Sequence, residues 1–271
     1  MSVSLATKAK PAFFKGNYFN RHADEGGQLA CSTGNTLRHR LYDIDGRAQW
    51  TSAGSDDTTA ETVTAQLWLP SMQTERDVDL VAFLNHNLKN FNLNFLSGVT
   101  TNNIVTETVN AETNTVDTIT AATGDNIILT MTTTQTANVE KLLGTLIMTE
   151  LNFQTAERFL SYEPLPTRVG TKSVEMYDGS IRYAHDFRSD ASFEFWAAKC
   201  SWYVDTAAEL ARFLALMRLG EDFLFMPFPG EHPEFIKLCR IKPGTFHDKP
   251  FHRSVPDIRV VSMVIEETGG A

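Results

Sequence analysis

Apolar and polar positions alternate in short runs along much of the chain, the period expected of strands with one buried face. Thr62 to Leu69 alternates and then meets Pro70, which cannot extend a ladder. Asp77 to Leu84 begins polar and becomes continuously apolar, as a strand entering a core does. Asn90 to Leu96 alternates again, with Phe91, Leu93 and Phe95 on one face. Threonine dominates residues 100–136, around the apolar island Ile127, Ile128 and Leu129. Its β-branched hydroxyl side chain suits exposed strands or a long meandering hairpin; residues 100–123 hold so few apolar groups that partial disorder is the alternative. Lys141 to Thr149 reads as a closing strand, and Asp45-Gly46 as a tight turn near the start of this region.

The second half changes character. Gln154 to Gly170 contains Pro164 and Pro166, shows no period and reads as a linker. Ile181 to Phe187 and Ala191 to Trp202 form two strand patterns around Arg188, Ser189 and Asp190, with Phe193 and Phe195 alternating in the second. Thr206 and Glu209 match a capping box, Leu210, Phe213, Leu214 and Met217 follow at helical spacing, and Gly220 sits where a helix ends. Phe223 to Met226, a turn-rich Pro227 to Gly230, and strands over Phe235 to Ile241 and Ile258 to Glu266 complete the chain. The pattern predicts a mainly β protein of two β-sandwich domains, the second flanked by one α-helix over about residues 206–219. An N-terminal arm occupies 1–40, the first sandwich 41–155, a linker 156–170 and the second domain 171–271.

A chain of 271 residues, 42% of them apolar, can bury two cores. The net charge of −9 is uneven: residues 1–40 carry six Lys or Arg against two acids, and residues 53–157 carry Arg76, Lys89 and Lys141 against thirteen acids. A basic arm and an acidic domain could attract each other between copies, whereas nucleic acid would be repelled by most of this surface. The arm also carries Phe13, Phe14, Tyr18 and Phe19, aromatics that need a surface, either the chain's own domain or a partner. With Met226 and Phe228 they are the candidate oligomer contacts. No apolar run is long enough to span a bilayer, and the first residues lack a signal-peptide core, so the expectation is folding in a cytoplasm without membrane insertion. Cys31, Cys200 and Cys239 have no spacing that signals a disulfide framework or a zinc site.

Candidate chemistry is sparse. No GxSxG, HExxH, Walker or dinucleotide-binding pattern occurs. His247, Asp248 and His252 are close enough in sequence to draw a metal site, but three prolines in that segment point to a loop without a rigid frame. Cys200 with His185 lacks a third, orienting group, and a buried thiol is the simpler reading. The sequence therefore implies no catalytic residue, no metal and no cofactor. The better candidate is glycan contact: Trp50 with Asn85, His86 and Asn87 could bring an indole face and planar polar groups to one edge of a sandwich. Against it, Trp50 can equally fill the core while the asparagines close turns.

Two resemblances bear on these features. DIDGRAQWTSAG, TAQLWLP, DVDLVAFLNHNLKNFNLNF and VEKLLGTLIMTELNF together resemble the galactose-binding, discoidin-like β-sandwich modules of tailed-bacteriophage virion proteins. RYAHDFRSDASFEFWAAKCSWYVDTAAELARFLALMRLGEDFLFMPFPG, followed by a strand ending SMVIEE, is similar in order to the tail-tube-like unit of phage tail-tip and distal tail proteins. The resemblance implies a β-sandwich with one helix, assembled with itself into a ring, hexameric in many such proteins, and with other tail proteins. The implied role is a virion structural component joining the tail tube to the tip or host-recognition apparatus, assembled in the bacterial host cytoplasm. A glycan-binding module contacting the host surface is the alternative. The domain order is the reverse of that in many distal tail proteins, which lead with the tube-like unit.

Overall fold

The computed structural model describes residues 10–20, 28–42, 49–53, 57–67, 69, 74–156, 159–165, 168–169, 171–175, 181–185, 194–219, 222–252 and 255–268. The Asp45-Gly46 turn, Pro70, Pro166, Arg188 to Asp190, Phe193 and Gly220 lie outside them. Up to Thr155 the strands are β1 (Ala12–Phe14), β2 (Ala30–Cys31), β3 (Trp50–Thr51), β4 (Glu61–Gln66), β5 (Arg76–His86), β6 (Leu88–Ser97), β7 (Thr100–Glu107), β8 (Thr115–Gly124), β9 (Asn126–Thr134), β10 (Leu142–Thr149) and β11 (Leu151–Gln154). After it come β12 (Phe159–Pro164), β13 (Arg168–Val169), β14 (Thr171–Glu175), β15 (Ile181–His185), β16 (Glu194–Phe195), β17 (Ala197–Val204), helix α1 (Ala207–Leu219), β18 (Phe223–Met226), β19 (Lys237–Ile241), β20 (His247–His252) and β21 (Val255–Glu267). The protein is mainly β. Two compact units emerge: the chain up to Thr155 with Phe223–Leu238, and Ala156–Asp222 with the described residues from Cys239 on.

The first unit is a β-sandwich with an added layer. A four-stranded sheet, β3-β10-β5-β8, faces a five-stranded sheet, β2-β4-β9-β6-β7. Trp50, Val63, Phe83, Phe95, Leu129 and Leu146 belong to the core between them. On the other face of β5 and β10, Leu80, Ala82 and Ile147 pack with Ala12, Phe14, Leu224, Met226 and Ile236. Those two strands are buried on both faces, which explains why their sequences run apolar instead of alternating. β10 also approaches β5 closely: a Cβ on Gly144 would lie 2.9 Å from the Leu84 carbonyl oxygen and from Asn85 Cβ.

The added layer corrects the arm and the domain boundaries. β1 pairs with β11 on one side and with β18 on the other, so residues 12–14 and 223–226 both belong to the first unit. Beyond β1 the chain stays tied to β10 and its turn, through Lys15 N–H to Glu150 O at 3.0 Å and Tyr18 N–H to Met148 O at 2.9 Å. Asn17 clamps the same strand, donating to Leu146 O and accepting from Met148 N–H. Tyr18 and Phe19 join the core between the two sheets, Phe14 joins the layer on the other face of β5 and β10, and Phe13 packs on Phe153 and Phe225.

Threonine-rich residues 100–134 form strands, as β-branched side chains on one solvated face allow. β7, β8 and β9 are 8, 10 and 9 residues long. On the outward face of the five-stranded sheet the register builds three rows from β4 to β7. Thr62 stands opposite Thr130, Thr130 opposite Asn92, and Asn92 opposite Thr106. Thr64, Ile128, Asn94 and Asn103 form the next row, and Gln66, Asn126, Leu96 and Thr101 the third.

In the second unit β17 pairs with β12 on one side and β21 on the other, and β21 pairs with β19 and β20 along different parts of its length. Two separate ladders, β13-β16 and β14-β15, complete the described strands. Two expectations change here. The linker contains β12, whose ladder runs from Phe159 opposite Trp202 to Pro164 opposite Ala198. The loop around His247 to His252 is β20, held to β21 despite Pro250 because an edge strand tolerates a missing donor. Helix α1 forms as its sequence dictates: Glu209 N–H donates to Thr206 Oγ1 at 3.2 Å, while Glu209 Oε1 accepts from Ala156 N–H at 2.8 Å. Phe213 and Leu216 are its buried apolar side chains, and Phe213 packs on Trp202 with ring centroids 5.1 Å apart. Met217, expected on that stripe, is exposed.

Candidate functional site

The end of the sandwich predicted to contact glycan is built for another purpose. Trp50 has no exposed surface, and its indole N–H donates to Gly34 O at 3.2 Å. Gly34 is left-handed, at φ 60°. Asn85, also left-handed at φ 56°, lies one residue before the end of β5, its N–H donating to Asn114 Oδ1 at 2.7 Å. Asn87 accepts from Leu142 N–H and donates to Glu140 O, both at 2.8 Å, so its amide substitutes for a strand partner at the start of β10. His86 is buried: Nδ1 accepts from Leu88 N–H at 3.1 Å and Nε2 lies 3.1 Å from Thr115 Oγ1. Burial pushes its pKa down to about 4. Only Asn85 of the four is exposed. The indole and the imidazole are therefore structural, which corrects the expectation that they present a sugar-binding surface.

The candidate oligomer contacts resolve similarly. Phe13, Phe14, Tyr18, Phe19 and Met226 are all at most 2% exposed, and Phe228 is half-buried. Phe13 stacks on Phe153 with centroids 4.7 Å apart and lies 4.9 Å from Phe225. Of the two surfaces on which these aromatics could lie, they lie on the chain's own. Likewise Lys15 of the basic arm pairs within the chain, 2.6 Å from Glu150.

Asp248, drawn as a metal ligand, pairs with Arg259 across β20 and β21. Among the described residues no cluster of three or more His, Cys, Asp or Glu is placed to hold a metal. Cys200 is buried, and burial pushes its thiol well above the usual range, so thiolate chemistry is suppressed. Lys141 is fully buried and donates from Nζ to Thr59 O at 2.6 Å.

A different site lies at the opposite end of β5. A cleft of about 400 Å³ is lined by Lys15, Thr74, Glu75, Arg76, Asp77, Thr123 and Glu150. β5 and β8 place Asp77 beside Thr123, whose hydroxyl donates to Asp77 Oδ1 at 2.6 Å. The Tyr18 hydroxyl donates to Glu150 Oε2 at 3.1 Å, and the Arg76 guanidinium stands 4.3 Å over the Tyr18 ring. Ser97 donates to Glu75. Burial, followed by the Glu150 charge, raises the Tyr18 pKa and keeps its hydroxyl a donor; burial lowers that of Arg76. The cleft therefore offers carboxylate acceptors and cationic donors side by side, a mixture suited to hydroxyl-bearing ligands. Its residues come from segments 15–18, 74–77, 97, 123 and 150. In sequence the only visible sign was charge crowded at the polar beginning of the 77–84 run.

No family model matches the sequence, and no curated protein is similar to it. Several solved structures share part of the fold. One is chitosan-binding module 1 of a chitosanase/glucanase from Paenibacillus sp. IK-5, 15% identical, with a TM-score of 0.37, covering 44% of this chain and 92% of that one. A second is the family 32 carbohydrate-binding module of Clostridium perfringens NanJ in complex with galactose, 12% identical, with a TM-score of 0.38, covering 45% and 92%. A third is CpGH89CBM32-5 from Clostridium perfringens in complex with GalNAc-beta-1,3-galactose, 9% identical, with a TM-score of 0.37, covering 44% and 92%.

Proposed function

We propose that the chain is a structural protein of a phage tail tip, whose second unit assembles with copies of itself and with neighbouring tail proteins. The observation that carries this reading is that two strands of the second unit, β12 and β20, are each paired on one side only among the described residues. β12 exposes Leu160 (42%) and β20 exposes Phe251 (50%). Two unlike edges suit a heterologous contact, in which each copy meets a different patch of the next, and such contacts close into rings. Pro164 and Pro250 remove ladder donors from these strands, so side chains carry the contact more than strand addition does. Mass photometry of the full chain tests it. Rings should appear as a discrete high-mass species that Leu160→Asp with Phe251→Asp reduces to monomer. A wild-type protein that stays monomeric at every concentration, alone and with the proteins of a tail tip, would falsify the assembly reading.

A second reading, glycan contact by the first unit, is favoured by the charged cleft. It assigns Asp77 and Lys15 the acceptor and donor roles toward sugar hydroxyls, and the first unit then faces outward from the particle. Galactose- and glucosamine-containing glycans are the ligands to try first, given the names of the solved modules above. Binding that Asp77→Ala leaves unchanged would remove the cleft from the reading.

A further inference from the structure

We infer that the outward face of the five-stranded sheet in the first unit is a binding surface for an uncharged polysaccharide. This deepens the glycan-contact reading and moves it to a second surface, separate from the charged cleft. The three rows across β4, β9, β6 and β7 contain no Lys, Arg, His, Asp or Glu, on a chain with net charge −9. With strands about 4.8 Å apart and like-facing residues about 6.8 Å apart along each strand, the rows span roughly 14 Å by 14 Å.

The polar groups there are organised. Asn103 Nδ2 donates to Asn94 Oδ1 at 3.0 Å, and the Thr106 hydroxyl donates to Asn103 Oδ1 at 2.7 Å. In the first row, Asn92 Oδ1 is buried with no hydrogen-bond partner. Ile128 and Leu96, both half-buried, place apolar patches among the amides and hydroxyls.

Electrostatics and composition select the occupant. A nucleic-acid surface needs Lys and Arg, which the rows lack. A protein interface is anchored by aromatic residues, Met and Arg, and they lack these too. Amide and hydroxyl groups that both donate and accept, interleaved with small apolar patches, match the hydroxyls and ring C–H faces of a neutral sugar polymer. An uncharged surface also lets such a polymer approach an acidic unit without desolvating a charge. Each neutral hydrogen bond contributes little in net terms, so a single copy binds weakly and repeated copies gain by avidity.

Affinity gel electrophoresis of the full chain through neutral galactan, mannan and β-glucan, with acidic alginate as contrast, tests this. Wild type should be retarded by at least one neutral polymer and not by alginate. Thr64→Glu and Thr101→Lys, at exposed positions on the rows, should each weaken binding roughly tenfold, while Arg218→Ala, at an exposed position in the last turn of α1, leaves it intact. Circular dichroism confirms that each variant is folded. No retardation by any neutral polymer overturns the proposal. So does retardation that survives both row substitutions; if Asp77→Ala then abolishes it, the binding belongs to the cleft, and the glycan reading stands without this face.

Discussion

The two ends of β5 both carry clustered polar side chains, yet they use them differently. At the Asn85 end the amides and the imidazole are joined to backbone N–H and C=O groups of β6, β10 and the intervening turns. At the Arg76 end carboxylates and cations meet one another and the hydroxyls of Tyr18, Ser97 and Thr123 around an open cleft. A polar cluster becomes available for a ligand when the backbone around it is satisfied by other means. Where turns and strand starts lack donors and acceptors, nearby side chains supply them.

The sharpest way to break this contrast is Trp50→Ala. If the Asn85 end is structural, losing a fully buried indole should cost about 3–5 kcal/mol in urea unfolding. Unchanged stability with lost glycan binding would reverse the assignment of the two ends.

The next largest effect is on pH. The unfolded chain protonates His86 near pH 6.5, whereas the folded chain holds it neutral down to about 4, so stability should fall as pH is lowered through that window, by up to roughly 3 kcal/mol. Asp117 works in the opposite direction. Burial and the nearby Glu107 raise its pKa to about 6, so the folded state keeps a proton that the unfolded chain releases above about pH 4. Its contribution is lost as pH rises from about 4 to 6. Asp117→Asn should therefore steepen the acid-side loss by removing the opposing slope, and His86→Gln should flatten it. Identical pH–stability curves for wild type and His86→Gln would show that the imidazole is not held neutral.

Smallest is Lys15→Ala at the cleft. Its pair with Glu150 is partly exposed, with side chains 46% and 27% accessible, so the stability change should be about 1 kcal/mol or less. A loss several times larger would mean that the cleft is as structural as the opposite end.

Much of the fold could be read locally. The alternation in Thr62–Gln66 and Asn90–Leu96 located β4 and β6, the continuous apolar runs located β5 and β10, and Thr206 with Glu209 located the start of α1. The charged cleft could not be read in this way. Its residues are brought together from Lys15 to Glu150, and no local period connects positions that far apart. The same limit applied to the sugar-contact prediction, because an exposed and a buried tryptophan look alike in sequence.

By itself, then, the sequence determined strands such as β4, β5, β6 and β10, where the helix begins, and that the chain is mainly β, since each depends on side-chain periodicity within a few residues. Tertiary structure alone decided that Phe14 belongs to a core with Leu224 and Met226 while Phe13 packs on Phe153 and Phe225, that Asn87 serves β10, and that residues from five segments enclose one cleft. Those outcomes depend on strand pairings such as β1 with β18, more than 200 residues apart in the chain. Burial across such distances is set by which sheets meet.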